Sequence, residues 1–423
     1  MSADNSQPIQ THSAEEQIVQ VQYEIAAARH AVVQAIDEAS DELVALSRFI
    51  HDHPEIALEE VRASAACAAL LERHGFTVVR GVAGLPTAFR AEAGRGAPRI
   101  AYLSEYDALP GLGHGCGHNL IAIAGIGAGI GLNAALGEVP GTVLVFGTPA
   151  EEAVGGKIIM ANAGLFDEVD AAMGAHPGTS EAVCPTVEGS GQALACQAVR
   201  VEFRGRSAHA AADPYNGINA LDALVLTYNG INALRQHVRS DARLHGIVTD
   251  GGQAPNVIPD YAAGLFYVRA GTLAYMRELV ARVRRIAEGA ALMTGAELSF
   301  SFPEEANSDM ISNCTLARRI KVHLDELGLH MPEAGPEEAS GSTDWGNVSY
   351  VVPSVETGYP ILDRVCTWHS PDVVAAADSP LGYANTLTVA KALALTGLDL
   401  LTQPGLLDEV QREFERAKAA RGG

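Results

Sequence analysis

Residues 100–146 read IAYLSEYDALPGLGHGCGHNLIAIAGIGAGIGLNAALGEVPGTVLVF. The stretch opens on a short apolar run (100–103), passes through Glu105-Tyr106-Asp107 and the glycine-rich loop Gly113-His114-Gly115-Cys116-Gly117-His118-Asn119, and continues as a long apolar segment (120–136). It closes on a β-branched run (142–146). Strand, helix and strand in that order predict an α/β sheet. Such sheets place ligands at the carboxyl ends of their strands. The loop puts a thiol at Cys116 and an imidazole at His118, in backbone too rich in glycine for a regular helix or strand. Side chains two apart in a bent loop can converge, and thiolate with imidazole suits zinc or a similar divalent metal. Two ligands do not close a metal site, so the rest of the chain must supply carboxylates and histidines.

Outward from this stretch the alternation persists. Residues 14–53 carry Ile18, Val21, Ile25, Val32, Ile36 and Leu43 at helical steps, and 61–74 read as a second helix. Short runs at 77–79, 88–91 and 171–174 read as strands. From 192 to 304 the texture changes to a β-α-β-β-α-β order: strands at 198–203, 246–249, 262–268 and 297–302, helices at 217–238 and 276–290. That order predicts a four-stranded sheet covered by two helices. The final segment returns to α/β texture and ends in a polar helix at 407–419. The expected architecture is a catalytic domain in two parts (1–191 and 305–423) with a smaller α+β domain inserted at 192–304.

The chain has 423 residues, 48% hydrophobic and 19% charged, enough for two domains with cores and too apolar for disorder. A formal net charge of -22 argues against nucleic acid and anionic membrane surfaces as partners. It leaves the substrate open, because a bound metal pair reverses the local field. Six cysteines (Cys67, Cys116, Cys184, Cys196, Cys314, Cys366) without a CxxC pair fit a reducing, cytoplasmic compartment. The polar start lacks the basic-then-apolar layout of a secretory signal. The run 120–136, rich in Gly and Ala, reads as a buried helix rather than a membrane span.

Further candidates fall at the expected strand ends. Glu151 and Glu152 follow the 142–146 strand; one can bind metal while its neighbour acts as general base on an activated water. They also read as solvated acids opening a helix. His176, in Gly174-Ala175-His176-Pro177, ends an apolar run, and His369, in Thr367-Trp368-His369-Ser370-Pro371, sits in a similar strand-end setting. Asp107 can orient a metal-bound imidazole, whereas Glu105 reads equally as a loop acid. In the insertion, His209 can donate to a developing oxyanion, and Asn256 can offer its amide to a substrate carbonyl or carboxylate, or simply shape a turn. A competing chemistry makes Cys116 a nucleophile paired with His114 or His118, but leaves Glu151, Glu152 and His176 without a role.

Together, Gly-His-Gly-Cys-Gly-His-Asn, Pro-Ala-Glu-Glu, Gly-Ala-His-Pro, Ser-Ala-His-Ala-Ala and the late His-Ser-Pro resemble the M20 metallopeptidase family. The resemblance is closest to its amidohydrolase branch, of the aminobenzoyl-glutamate hydrolase and peptidase M20 domain-containing protein 2 type. It implies a zinc-peptidase-like catalytic domain with an inserted lid or dimerisation domain, a homodimer through that domain, and two divalent ions (zinc or manganese, with cobalt acceptable). It implies Cys116, His118, Glu152, His176 and His369 as metal ligands, Glu151 as general base, His209 as the residue steadying the tetrahedral intermediate, and Asn256 near the substrate. The implied reaction is hydrolysis of the amide bond of an N-acyl or N-aroyl amino acid or a dipeptide. A catalytically silent metal-containing binding protein on the same fold is the alternative. Two positions depart from the branch: Asn119 stands where many members have Asp, and Glu105-Tyr106-Asp107 where many have Asp-x-Asp. Both are expected to bear on metal or substrate choice.

Overall fold

The computed structural model describes residues 14–421 apart from 138, 333, 334 and 336–340, with side chains from residue 23 onward; Ile18 and Val21 of the expected apolar stripe therefore lie outside the described side chains. The first part of the chain forms α1 (Ala14–Glu38), α2 (Ser40–Asp52), α3 (Val61–Arg73), β1 (Thr77–Arg80), β2 (Phe89–Arg95), β3 (Arg99–Ser104), α4 (His118–Ala135), β4 (Gly141–Gly147), α5 (Gly156–Asn162) and β5 (Ala171–Gly178). The single helix expected over 14–53 is two helices bent at Ala39. The bonds Ala39 N to Ala35 O and Leu43 N to Ala39 O span the bend, which lets α2 turn onto α3 while α1 follows α4. Alanine carries no helix-breaking signal, so packing sets this bend.

Next come β6 (Ala195–Arg204), α6 (Ala220–Leu234), β7 (Arg243–Asp250), β8 (Tyr261–Ala270), α7 (Leu273–Thr294) and β9 (Glu297–Ser301). They form a separate antiparallel sheet in the order β7-β8-β6-β9. Its core joins Val199, Val201 and Phe203 of β6 to Leu224 of α6 and Leu279 and Val283 of α7. The β-α-β-β-α-β order and the inserted α+β fold are as expected. The first of its helices is shorter than the predicted 217–238: the Asn219 side chain accepts from the Leu221 and Asp222 amides and caps it, while Ile218 stays extended against Arg206.

The chain then returns through α8 (Cys314–Glu326), α9 (Trp345–Ser349), β10 (Ser354–Pro360), α10 (Pro371–Ala377), α11 (Pro380–Thr402) and α12 (Leu406–Ala420). The main sheet runs β1-β2-β4-β3-β5-β10, with β4, β3, β5 and β10 mutually parallel and β2 antiparallel to both β1 and β4. Both faces are covered, as parallel sheets require. Tyr102, Val143, Val145 and Met173 join the core under α4 and α11. Leu103, Leu144 and Phe146 point the other way, to Met160, Phe166 and Trp345.

Helix α4 is the one helix among the described residues long and apolar enough to cross a membrane, but 89% of that segment is buried within the protein, as a core helix. Its seat depends on Gly125, where an added Cβ would lie 2.6 Å from the Leu103 carbonyl oxygen. The helix can thus lie directly on β3, and its N-terminus, carrying His118, reaches the carboxyl edge of the parallel strands.

Candidate active site

Four adjacent parallel strands deliver the candidate residues to one edge. Glu105 and Asp107 follow β3, Glu151 and Glu152 follow β4, His176 lies near the end of β5, and Glu356 sits on β10. His369 does not end a strand as expected. It lies in the loop between β10 and α10, with φ 56°, a conformation uncommon outside glycine. Ala150, just before Glu151, has φ 61°, and its amide is held by the Glu60 carboxylate at 2.8 Å. Two non-glycine residues in the left-handed region therefore flank the donors, where such conformations tend to cluster.

Cys116 reaches the site through a tight turn at Gly117. There φ is 76°, and a Cβ would fall 2.9 Å from Pro177 Cγ, so glycine is needed on both counts. The Cys116 sulfur lies 3.4 Å from His176 Nε2 and accepts from Trp368 Nε1 at 3.3 Å. His176 Nδ1–H donates to the Pro177 carbonyl, which leaves Nε2 directed at the thiol. His118 is fully buried; its Nδ1 pairs with Asp107 Oδ1 at 3.0 Å, and Asp107 Oδ2 accepts from the Glu152 amide at 3.0 Å. Asp107 thereby aims two candidate ligands at once. Glu152 Oε1 lies 3.4 Å from His369 Nε2 and 3.9 Å from His118 Nε2.

These donors converge in groups. The ligand atoms of Cys116, His118 and His176 lie within 4.8 Å of one another, as do those of Cys116, Glu152 and His369, and those of Glu105, His118 and Glu151. Two groups share Cys116, and two share His118. A cation held at about 2.0–2.3 Å by two donors at the tetrahedral angle separates them by about 3.4 Å. His118 Nε2 and Glu152 Oε1 are buried with no hydrogen-bond partner. Orphaned lone pairs facing each other in a dry pocket are costly and are what a divalent ion would satisfy. The mixed sulfur, nitrogen and oxygen set therefore fits a metal.

The electrostatics agree. Burial alone would raise the Cys116 thiol, but His176 and His118 outweigh it and hold it well below its ordinary value. Burial opposes charge on His176, yet Cys116 pulls it up to about 10. Glu152 is pushed up to about 7 by burial and the Cys116 sulfur. Glu151 is driven well above the usual carboxylate range by burial and by Asp344 and Glu105. The cluster attracts positive charge, as protons or as metal.

His114 does not join it. It is buried, its Nε2–H donates to the Ile50 carbonyl, and burial with His118 and His51 nearby presses it down to about 3, which makes it a neutral structural group. Asn119 also turns away, donating to Ser47 Oγ and the Ala377 carbonyl; its departure from the branch concerns packing of α4 rather than the donors. His209 and Asn256 belong to none of the three groups. They sit side by side on the insertion, where His209 pairs with Val257 and the Asn256 carbonyl accepts from Ala210.

A cleft of about 320 Å³ separates the donors from the insertion, with Glu151, Glu152 and His369 on one wall and Tyr267, Arg269 and Glu304 on the other. Arg269 was not singled out in the sequence. It reaches Ser342 Oγ at 3.1 Å, keeps a buried Nε without a partner, and pairs with no carboxylate among the described residues. A larger cavity, about 390 Å³, opens by Arg318, Glu413 and Arg416 and contains none of the converging donors, so size alone does not locate the site. Lys157 and Asp344 were also missed. Lys157 is fully buried and paired with both Glu105 and Asp344, although in the sequence it looks like an ordinary polar residue of α5.

Comparison with known proteins now bears on this arrangement. Residues 197–293 match the peptidase dimerisation domain of the M20 family. The chain is 40% identical over 399 residues to the Xaa-Arg dipeptidase of Mus musculus, covering 90% of this chain and 91% of that one. It is 32% identical over 443 residues to one of the two kinds of chain that make up the p-aminobenzoyl-glutamate hydrolase of Escherichia coli (strain K12), covering 87% and 90%. A Bacillus subtilis structure described as a dinuclear metal binding peptidase from the M20 family superposes with a TM-score of 0.62 at 23% identity, covering 84% of this chain and 98% of that one, and shares the fold. The chain belongs to the M20 peptidase family and is one of its peptidase/amidohydrolase members.

Proposed function

We propose that the chain is a two-metal hydrolase of dipeptides or related N-acyl or N-aroyl amino acids, working in the cleft between the main sheet and the insertion. The observation that carries this reading is the convergence of Cys116, His118, Glu152, His176 and His369 in two groups that share one sulfur. These five residues would hold the ions, zinc or manganese with cobalt acceptable, since a mixed donor set accommodates all three. When bound, the metal pair supplies Lewis acidity to the attacking water and to the scissile carbonyl. Glu151, buried beside Glu105 and Asp344, takes the proton from that water and passes it to the leaving nitrogen. Asp107 fixes the His118 tautomer and the Glu152 backbone.

The far wall of the cleft supports a substrate with two charges. Arg269, free of carboxylate partners, suits the substrate's terminal carboxylate. Glu304 is half-buried on the same wall, and Glu305 lines the cleft beside it; neither pairs with a cation among the described residues. Together with the activity named for the mouse relative, this favours dipeptides with a basic C-terminal residue. His209 would steady the oxyanion and Asn256 would contact substrate from a partner subunit, since both are exposed and stand outside the donor groups of their own chain. The match to a dimerisation domain and the exposed Ile247 and Val248 of edge strand β7 support a homodimer. Six free cysteines support a reducing, cytoplasmic setting.

One observation favours a second reading. Cys116 and His176, 3.4 Å apart, also resemble a thiolate–imidazolium nucleophile, with His176 rather than His114 or His118 as partner. Glu151→Ala separates the two. On the metal reading it keeps fold and metal and abolishes dipeptide turnover. Near-normal turnover in that variant would sink the assignment.

A further inference from the structure

We propose that Glu105 supplies a sixth donor to the metal centre, its carboxylate aimed by Lys157 and Trp345, and that it biases the ion at His118 toward oxygen-preferring cations such as Mn²⁺. The inference rests on the two-metal reading above and extends it to a residue that the family resemblance does not assign. Glu105 is buried at the end of β3. Its Oε1 is pinned from two sides, by Lys157 Nζ at 2.8 Å and by Trp345 Nε1 at 3.0 Å. Lys157 is itself anchored, with Nζ 2.5 Å from Asp344 Oδ1 and its backbone amide 2.9 Å from Asp344 Oδ2. This bracing leaves Oε2 fixed 3.4 Å from His118 Nε2.

That contact requires a cation or a second proton. With Nδ1–H donated to Asp107, the neutral imidazole presents its Nε2 lone pair, which makes no hydrogen bond, to two carboxylate oxygens: Glu105 Oε2 at 3.4 Å and Glu152 Oε1 at 3.9 Å. Lone pair against lone pair in a buried pocket is repulsive. The spacing equals that of Cys116 with His176 and of Glu152 with His369, the pairs already read as sharing an ion. Four carboxylates lie buried together here (Glu105, Glu151, Asp344, Glu356), with one ammonium, Lys157, as their lysine or arginine counter-charge among the described residues. One Glu356 oxygen has no partner. Such an excess is tolerated only with further positive charge nearby. The substitution of Glu for the Asp common in the branch then has a geometric meaning: one more methylene extends the carboxylate by about 1.5 Å, toward His118. Carboxylate suits Mn²⁺ better than thiolate does, hence the expected shift in metal preference.

The test is a crystal structure of the wild-type protein loaded with Mn²⁺ and, separately, Zn²⁺, with the ions located by anomalous scattering. A Glu105 oxygen at coordination distance, about 2.0–2.2 Å from an ion, supports the inference. Both ions bound to the five other residues, with Glu105 beyond about 3 Å or paired to a protonated His118, overturns it and leaves the hydrolase reading intact. No ion at Cys116, His118 or Glu152 overturns both. In solution, Glu105→Gln and Glu105→Asp should each weaken Mn²⁺ binding at least roughly tenfold and Zn²⁺ less, by titration of metal-free protein whose melting shows that it is folded. Wild-type affinity for both ions in the two variants would contradict the role.

Discussion

Replacing Asp107 by Asn tests how the site is aimed. Asp107 is buried and ionised: burial opposes the charge, but His118 and the Glu152 amide hold its carboxyl below the usual range. It accepts two hydrogen bonds, from His118 Nδ1 and from the Glu152 backbone, each 3.0 Å long. An asparagine offers one acceptor and one donor in the same space. If its amide nitrogen faces His118, Nδ1 must become the acceptor and the proton moves to Nε2, so that His118 can no longer bind metal. If its oxygen faces His118, the amide nitrogen opposes the Glu152 N–H, donor against donor, and Glu152 shifts. Either outcome misaligns one ligand while the volume is unchanged. Losing such an orienting group costs about 10–100-fold in metal affinity, or about 1.4–2.8 kcal/mol. Calorimetric titration of metal-free Asp107→Asn with Zn²⁺ or Mn²⁺ measures this directly, and a melting curve confirms folding. Wild-type affinity in a folded variant would refute the reasoning.

Other consequences concern specificity and stability. Arg269→Met should lower kcat/KM for dipeptides with a free carboxylate by roughly tenfold or more and leave C-terminally amidated analogues unchanged. Glu304→Gln should cut the preference for Xaa-Arg over Xaa-Leu about fivefold, the worth of a partly exposed ion pair. Asp399 is held below the ordinary carboxylate range: burial opposes this, but hydrogen bonds from His323 and Arg319 prevail. A carboxyl group lowered by folding stabilises the protein above its unfolded value, about 3.9, and loses that contribution as pH falls toward the folded value. Asp399→Asn should therefore lower the melting temperature at pH 7 and flatten its decline below about pH 4; parallel melting curves against pH for the two proteins would contradict this. Gly125→Ala places a methyl group against the Leu103 carbonyl and should destabilise the fold by about 1–3 kcal/mol, read by denaturant unfolding.

The sequence disclosed most about residues whose local setting is unusual. Cys116 and His118 stand out because three glycines rule out a core element, and the turn at Gly117 shows why. The α/β alternation was legible because β3 and β4 are short apolar runs with helices between. Strand order was not legible, since nothing local states that β3 lies between β4 and β5. Glu105 read as a loop acid because the ammonium that fixes it comes from Lys157, and the indole from Trp345, 240 residues away. Arg269 was hidden for the same reason: its side chain acquires meaning only when the insertion folds back over the strands. His369 was found by its neighbours Trp368 and Ser370-Pro371, but its loop conformation is set by tertiary contacts that a strand-end reading does not contain.

The central claim is that positive charge from two metals, and not a sulfur nucleophile, drives hydrolysis in this cleft. Purified protein should be stripped with chelator, assayed on an Xaa-Arg dipeptide, and titrated back with Zn²⁺ or Mn²⁺ while bound metal is counted. Activity that disappears on stripping and returns in step with two bound ions per chain is the predicted result. Activity that survives chelation and is lost on alkylation of Cys116 would contradict the account.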